Sequence, residues 1–82
     1  MNTDEVIRRV RLLVVALCKV ENLAEDTDIF QAGLLSSLYA LRLVESIERE
    51  FGCSIADDEL RVANFRSIAA IAQLLGRKQV AP

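Results

Sequence analysis

The chain has 82 residues, 52% of them hydrophobic but only 5% aromatic, with a net charge of −2, two cysteines and no histidine. That is enough for one domain with a modest aliphatic core, a composition that suits a helical bundle better than a β-sandwich. The net charge gives no field for nucleic acid, and Cys18 and Cys53 alone supply too few ligands for a zinc site. No metal is expected, and the two thiols are expected to stay reduced, although one disulfide is possible by count.

Thr3, followed by Asp4 and Glu5, reads as a helix start: a capping hydroxyl, then acids over the positive end of the dipole. Val6, Val10, Leu13, Leu17 and Val20 then recur at steps of four and three, which predicts one buried face and a first helix running to about Val20. The longest apolar run, Leu12 to Cys18, is too short to span a bilayer, and the opening residues lack the basic start of a signal peptide. A cytoplasmic protein with no membrane partner is expected. The first twenty residues carry Arg8, Arg9, Arg11 and Lys19, whereas residues 21–35 carry Glu21, Glu25, Asp26 and Asp28 and no base. That polarity could serve a docking partner or be a solvated surface of mixed charge.

Residues 21–35 break the periodicity, but Leu23, Ile29, Phe30 and Leu34 predict a long loop packed onto the helices. The second helix is the clearest in the chain: Leu38, Leu41, Val44, Ile47 and Phe51 predict its buried face, with Leu43 beside them. Gly52 follows where a left-handed C-terminal cap wants glycine. Asp57 to Leu60 reads as a short acidic-capped helical turn reaching about Val62. Ser67 caps a last helix with Ile68, Ile71, Ala72 and Leu75, ending near Gly76, and residues 77–82 are expected to fray. The fold class is therefore all-α, a single domain over residues 1–82 with its core at about 4–76. It has three main helices, one short helix and a long loop after the first.

The candidate site is Ser37. The run Gly33-Leu34-Leu35-Ser36-Ser37-Leu38 delivers its hydroxyl to the first turn of helix two, where unpaired backbone N–H groups and the helix dipole favour an anion such as a phosphodiester. Gly33 is expected to permit a tight approach to the helix start, and Leu38 to anchor the adjacent backbone in the core. A serine at a helix start ordinarily just caps; here Ser36 is the better cap, leaving Ser37 free. As a catalytic nucleophile Ser37 lacks a base, since the chain has no histidine and no nearby lysine. The chain is not expected to be an enzyme.

These segments together resemble the acyl and peptidyl carrier family over roughly residues 4–76. The resemblance rests on Ser37-Leu38, on Leu43-Val44-Glu45-Ser46-Ile47-Glu48-Arg49-Glu50-Phe51-Gly52, and on the loop Asp28-Ile29-Phe30-Gln31-Ala32-Gly33-Leu34-Leu35. It implies an acyl-carrier-like four-helix bundle. It also implies that Ser37 receives 4′-phosphopantetheine from coenzyme A through a separate, magnesium-using phosphopantetheinyl transferase, with cargo then held as a thioester on the arm. Leu38, Tyr39, Leu41, Arg42 and Glu45 would form the docking surface, although Tyr39 is equally readable as a half-buried aromatic. Two departures stand out: Ser36 occupies the place of the family's usual Asp, and Arg42 lies where fatty-acid carriers are often acidic. With Arg42 and Arg49 against Glu45, Glu48 and Glu50, helix two has a net charge of −1 and should be a weak partner for enzymes that read a strongly negative helix.

Ser37 to Leu41 and Asn64 to Ile71 resemble a narrower group, discrete carriers of unusual polyketide extender units such as hydroxy-, methoxy- or aminomalonyl. The implied role is a free-standing, monomeric carrier in polyketide, antibiotic or hybrid peptide biosynthesis. Its partners would be a loading enzyme, extender-modifying enzymes and synthase modules. An aminoacyl or peptidyl carrier loaded by an adenylating enzyme shares the fold and Ser37. In a reading from another class, the chain is an unmodified helical interaction module and Ser37 only a surface hydroxyl.

Overall fold

The first helix, α1, begins because Asn2 supplies a side-chain oxygen: its Oδ1 accepts from the Glu5 N–H at 2.8 Å, and Asp4 and Glu5 fill the first turn. The cap is thus Asn2 rather than Thr3, which is the first helical residue. A computed structural model describes residues 2–78, and the expected tail positions 79–82 lie outside them. α1 spans Thr3–Cys18 and stops short of Val20 because Lys19 turns into the left-handed region at φ 59° and donates its N–H to Val15 O.

Ser36 caps α2, Ser37–Phe51, and Gly52 ends it at φ 61°, where glycine meets no Cβ penalty. A single 3₁₀ turn follows at Asp57–Glu59, then the short helix α3, Val62–Phe65, and finally α4, Ile68–Arg77, capped by Ser67. The single turn expected from Asp57 to about Val62 is instead two elements, because Arg61 takes extended backbone at φ −122° between them. Arg77 and Lys78, assigned to the tail, are the last residue of α4 and its cap. Among the described residues there is no strand, and no helix is long and apolar enough to cross a membrane.

α1 packs against both α2 and α4, and α3 packs against α4. Val10, Val14, Ile29, Leu43, Ile47, Ile68 and Ile71 are fully buried between them. On α2 this corrects the expected face. Leu43, Ile47 and Phe51 are inside, Val44 is half-buried, and Leu38 and Leu41 are 72% and 60% exposed. Leu38 therefore does not anchor the helix start in the core.

Residues 21–35 form the packed loop that their apolar content predicts. Ile29 and Leu35 are buried, and Leu23, Phe30 and Leu34 lie against the core. Asp28 Oδ1 accepts from the N–H groups of Phe30 and Gln31 at 3.1 and 2.9 Å, folding the loop into a local turn. Two long-range backbone bonds pin it to the α3–α4 junction: Ile29 N–H donates to Arg66 O at 2.7 Å, and Ala69 N–H donates to Glu25 O at 2.9 Å. Gly33 has φ 74°, and a Cβ added there would meet no neighbouring atom within 4 Å. Its glycine answers to the left-handed backbone, not to the tight approach expected from sequence.

The basic side chains of α1 are largely satisfied within the protein. Arg8 and Arg9 pair with Glu5, Arg9 also reaches Glu50 of α2, and Arg11 reaches Glu25 of the loop. Cys18 and Cys53 are free, half-buried thiols, and burial pushes both up from the ordinary thiol range.

Candidate functional site at the start of helix two

Ser36 and Ser37 divide two roles between them. Ser36 has extended backbone, and its Oγ accepts from the Tyr39 N–H at 3.4 Å, while its carbonyl accepts from Ala40 N–H at 2.9 Å. Ser37 is the first helical residue and is exposed. Its own N–H and that of Leu38, the first two of the helix, have no intrahelical acceptor, and no acid occupies the first turn of α2. The hydroxyl thus stands free at the positive end of a fifteen-residue helix. Its position is fixed from behind by the anchored loop that ends at buried Leu35.

Beside Ser37 runs a groove of about 200 Å³. Ser37, Leu41 and Val44 form its α2 side, and Leu60, Val62 and Phe65 face them from the 3₁₀–α3 segment. Arg61 is the one charged residue in the lining, so the groove is a mostly apolar slot with a cation and no carboxylate. Leu60 and Val62 remain 44% and 64% exposed, extending the apolar surface of Leu38 and Leu41 across the mouth.

The far wall is braced from α4. Lys78 Nζ and Ala56 N–H both donate to Glu59 Oε1 at 2.8 Å. Asn64 Nδ2 donates to Glu59 O at 2.9 Å, and Arg77 donates to Asn64 Oδ1 at 3.1 Å. The Lys78 hydrogen bond holds the Glu59 carboxyl below its ordinary range, and the same contact raises the Lys78 ammonium.

Residues 8–75 match the family described as the phosphopantetheine attachment site. The chain belongs to that family. Searches of curated proteins and of solved structures gave no significant match. Members of the phosphopantetheine-attachment family carry covalently bound 4′-phosphopantetheine. They act in general as non-catalytic shuttles that meet a phosphopantetheinyl transferase and synthase partners. The chain offers what such a group needs: an exposed hydroxyl on a rigid helix start, unpaired N–H groups for a phosphate, and an apolar slot alongside.

The docking residues expected from sequence divide between two faces. Leu41 lines the groove with Ser37, Leu38 projects to solvent, and Glu45 is exposed one turn beyond. Tyr39 and Arg42 instead line a separate cleft on the other side of α2. Tyr39 is exposed at 46% rather than half-buried, with the Arg42 guanidinium 5.5 Å from its ring centroid. Leu60, Arg61 and Val62 were not expected at the site, and Phe65 entered only within the narrower resemblance. The apolar positions Leu60, Val62 and Phe65 are spaced by two and then three, which fits neither helical nor strand periodicity well.

Asn64 to Ile68, part of the narrower resemblance, is accounted for by folding. Asn64 ties to Glu59, Phe65 is buried, Arg66 O receives the loop, Ser67 caps α4 and Ile68 is in the core. Phe65 also lines the groove, and the others shape the fold behind it.

Proposed function

We propose that the chain is a free-standing carrier whose Ser37 bears 4′-phosphopantetheine, and that it shuttles an acyl group between partner enzymes as a cytoplasmic monomer. The observation that carries this reading is the division of labour at 36–37: Ser36 makes the cap, while Ser37 presents an unengaged, exposed hydroxyl at the helix start. When attached, the arm supplies a terminal thiol that holds cargo as a thioester. The chain supplies position and surroundings. The free N–H groups of Ser37 and Leu38 offset the phosphodiester charge, and the groove of Leu41, Val44, Val62 and Phe65 receives apolar parts of arm or cargo.

For cargo we favour a polyketide extender unit, on the likeness of residues 37–41 and 64–71 to the discrete carriers of such units. The weakly charged α2 fits this better than a fatty-acid role, since it offers a strongly basic enzyme little to read.

The test is intact mass after incubation with coenzyme A, magnesium and a broad-specificity phosphopantetheinyl transferase, with wild type and Ser37→Ala in parallel. A gain of one phosphopantetheine in the wild type alone is expected. No gain on folded, previously unmodified protein with several transferases would overturn the assignment and favour an unmodified interaction module.

A further inference from the structure

α2 presents two faces to solvent, and only one belongs to Ser37. At about 100° per residue, Tyr39 and Arg42 lie about 200° and about 140° around the helix axis from Ser37. They look onto a cleft of about 380 Å³ between α2, the end of α1 and the packed loop. Leu17, Leu34 and Leu35 form its apolar floor, and Lys19, Tyr39 and Arg42 its rim. No acidic residue lines it.

Three features describe this rim. Among the described residues neither Lys19 nor Arg42 makes an ion pair, which they share with Arg49, Arg61, Arg66 and Arg77, but they are the two that meet over one apolar floor. Arg42 is held over the Tyr39 ring, which restrains the guanidinium while leaving its hydrogen-bonding edge open. Lys19 adopts φ 59°, a left-handed backbone that glycine takes without strain, as Gly52 does at the matching end of α2. A long cationic side chain is thus kept at a position where the backbone favours none.

We propose that this cleft is a docking site for a partner protein presenting an acidic, amphipathic helix. An apolar side chain of that helix enters between Leu17, Leu34 and Leu35, and its carboxylates meet Lys19 and Arg42. Charge complementarity selects this occupant, because a basic partner would meet two like charges on the rim. Because the cleft faces away from Ser37, the partner holds the carrier without covering the attachment hydroxyl or the groove beside it. The site does not depend on modification of Ser37, so its test does not require the arm.

The experiment is an amide chemical-shift titration of the full chain with three probes: a Glu/Leu amphipathic helical peptide, its Lys-for-Glu counterpart, and inorganic pyrophosphate. The Glu/Leu peptide is expected to shift Lys19, Leu34, Leu35, Tyr39 and Arg42 while leaving Val44 and Val62 in place, and the lysine peptide to shift none of them. Lys19→Gly is expected to weaken the Glu/Leu peptide about fivefold and Arg42→Glu about tenfold or more, as for rim charges in contact with opposite charge. Lys19→Gly should at the same time keep or raise the melting temperature, because it relieves the left-handed strain. That separates lost docking from lost folding. Absence of shifts, equal response to both peptides, or shifts centred on Val44 and Val62 would overturn the proposal. So would equal perturbation of the cleft by pyrophosphate, which would make it a small-anion site, or concentration-dependent shifts without peptide, which would make it a self-association face.

Discussion

Three serines at helix starts allow the division of roles at α2 to be tested by stability and modification together. Replacing an N-cap serine by alanine costs about 1 kcal/mol, with a range of roughly 0.5–2. At Ser36 the capping distance is 3.4 Å, beyond the usual span for an N–H···O bond, and the residue is exposed. The cost should fall at the low end, about 0.5 kcal/mol, or roughly 2–4 °C in melting temperature for a domain of this size. Ser67 is 8% exposed and accepts from Ala70 N–H at 3.0 Å. Ser67→Ala should cost about 1–2 kcal/mol, roughly 4–8 °C or more. Ser37→Ala removes no hydrogen bond made by the side chain and should change stability by less than about 0.5 kcal/mol. Thermal unfolding by circular dichroism gives the order Ser67, Ser36, Ser37. Intact mass after transferase treatment gives a different one, with modification lost only in Ser37→Ala. Ser36→Asp should keep the cap and add about 0.3–1 kcal/mol through the helix dipole. If Ser37→Ala proved the more destabilising of the neighbouring pair, or if Ser36→Ala abolished the mass gain, the assignment of cap and attachment residue would be wrong.

Leu43→Ala should cost about 2–5 kcal/mol because the side chain is fully buried, while Leu41→Ala, two residues away and 60% exposed, should stay within about 0.5 kcal/mol. Denaturant unfolding of the two variants decides between the observed face of α2 and the one its spacing suggests. The Lys78–Glu59 brace gives a pH-dependent prediction. Glu59 is held below its ordinary range, so its contribution is present above about pH 4.3 and is lost as the pH falls through the lower folded value. Lys78 is raised, so its contribution is present below about pH 10.4 and is lost as the pH climbs beyond it. Lys78→Met should therefore lower the melting temperature slightly at neutral pH, and its gap to the wild type should close towards strong acid and strong alkali. A gap that stayed constant across that range would show that the pair contributes nothing through charge.

The main helices and several of their ends were legible in the sequence because the signals that set them are local. Gly52 ends α2 and Ser67 starts α4 through bonds and backbone angles within a few residues. The packed character of residues 21–35 followed from Ile29, Phe30 and Leu34, which no solvated loop would need. Local readings also misled: Asn2 and Thr3 are both competent caps and only geometry chose Asn2, the left-handed Lys19 stops α1 before Val20, and α4 runs on to Arg77.

The face of α2 that turns inward was decided by tertiary structure alone. Leu38, Tyr39, Ala40, Leu41, Leu43, Val44 and Ile47 cover more than half of that helix with apolar or aromatic surface, so periodicity cannot choose among them. Packing of α1 beside α2 buries Leu43 and Ile47 and leaves Leu38 and Leu41 outside, Leu41 in the groove beside Ser37 and Leu38 facing solvent. The wall opposite Ser37 likewise comes from residues more than twenty positions away, held by Glu59, Asn64, Arg77 and Lys78. Sequence spacing encodes what a residue does to its own turn of chain; which distant surface it meets depends on how the helices pack.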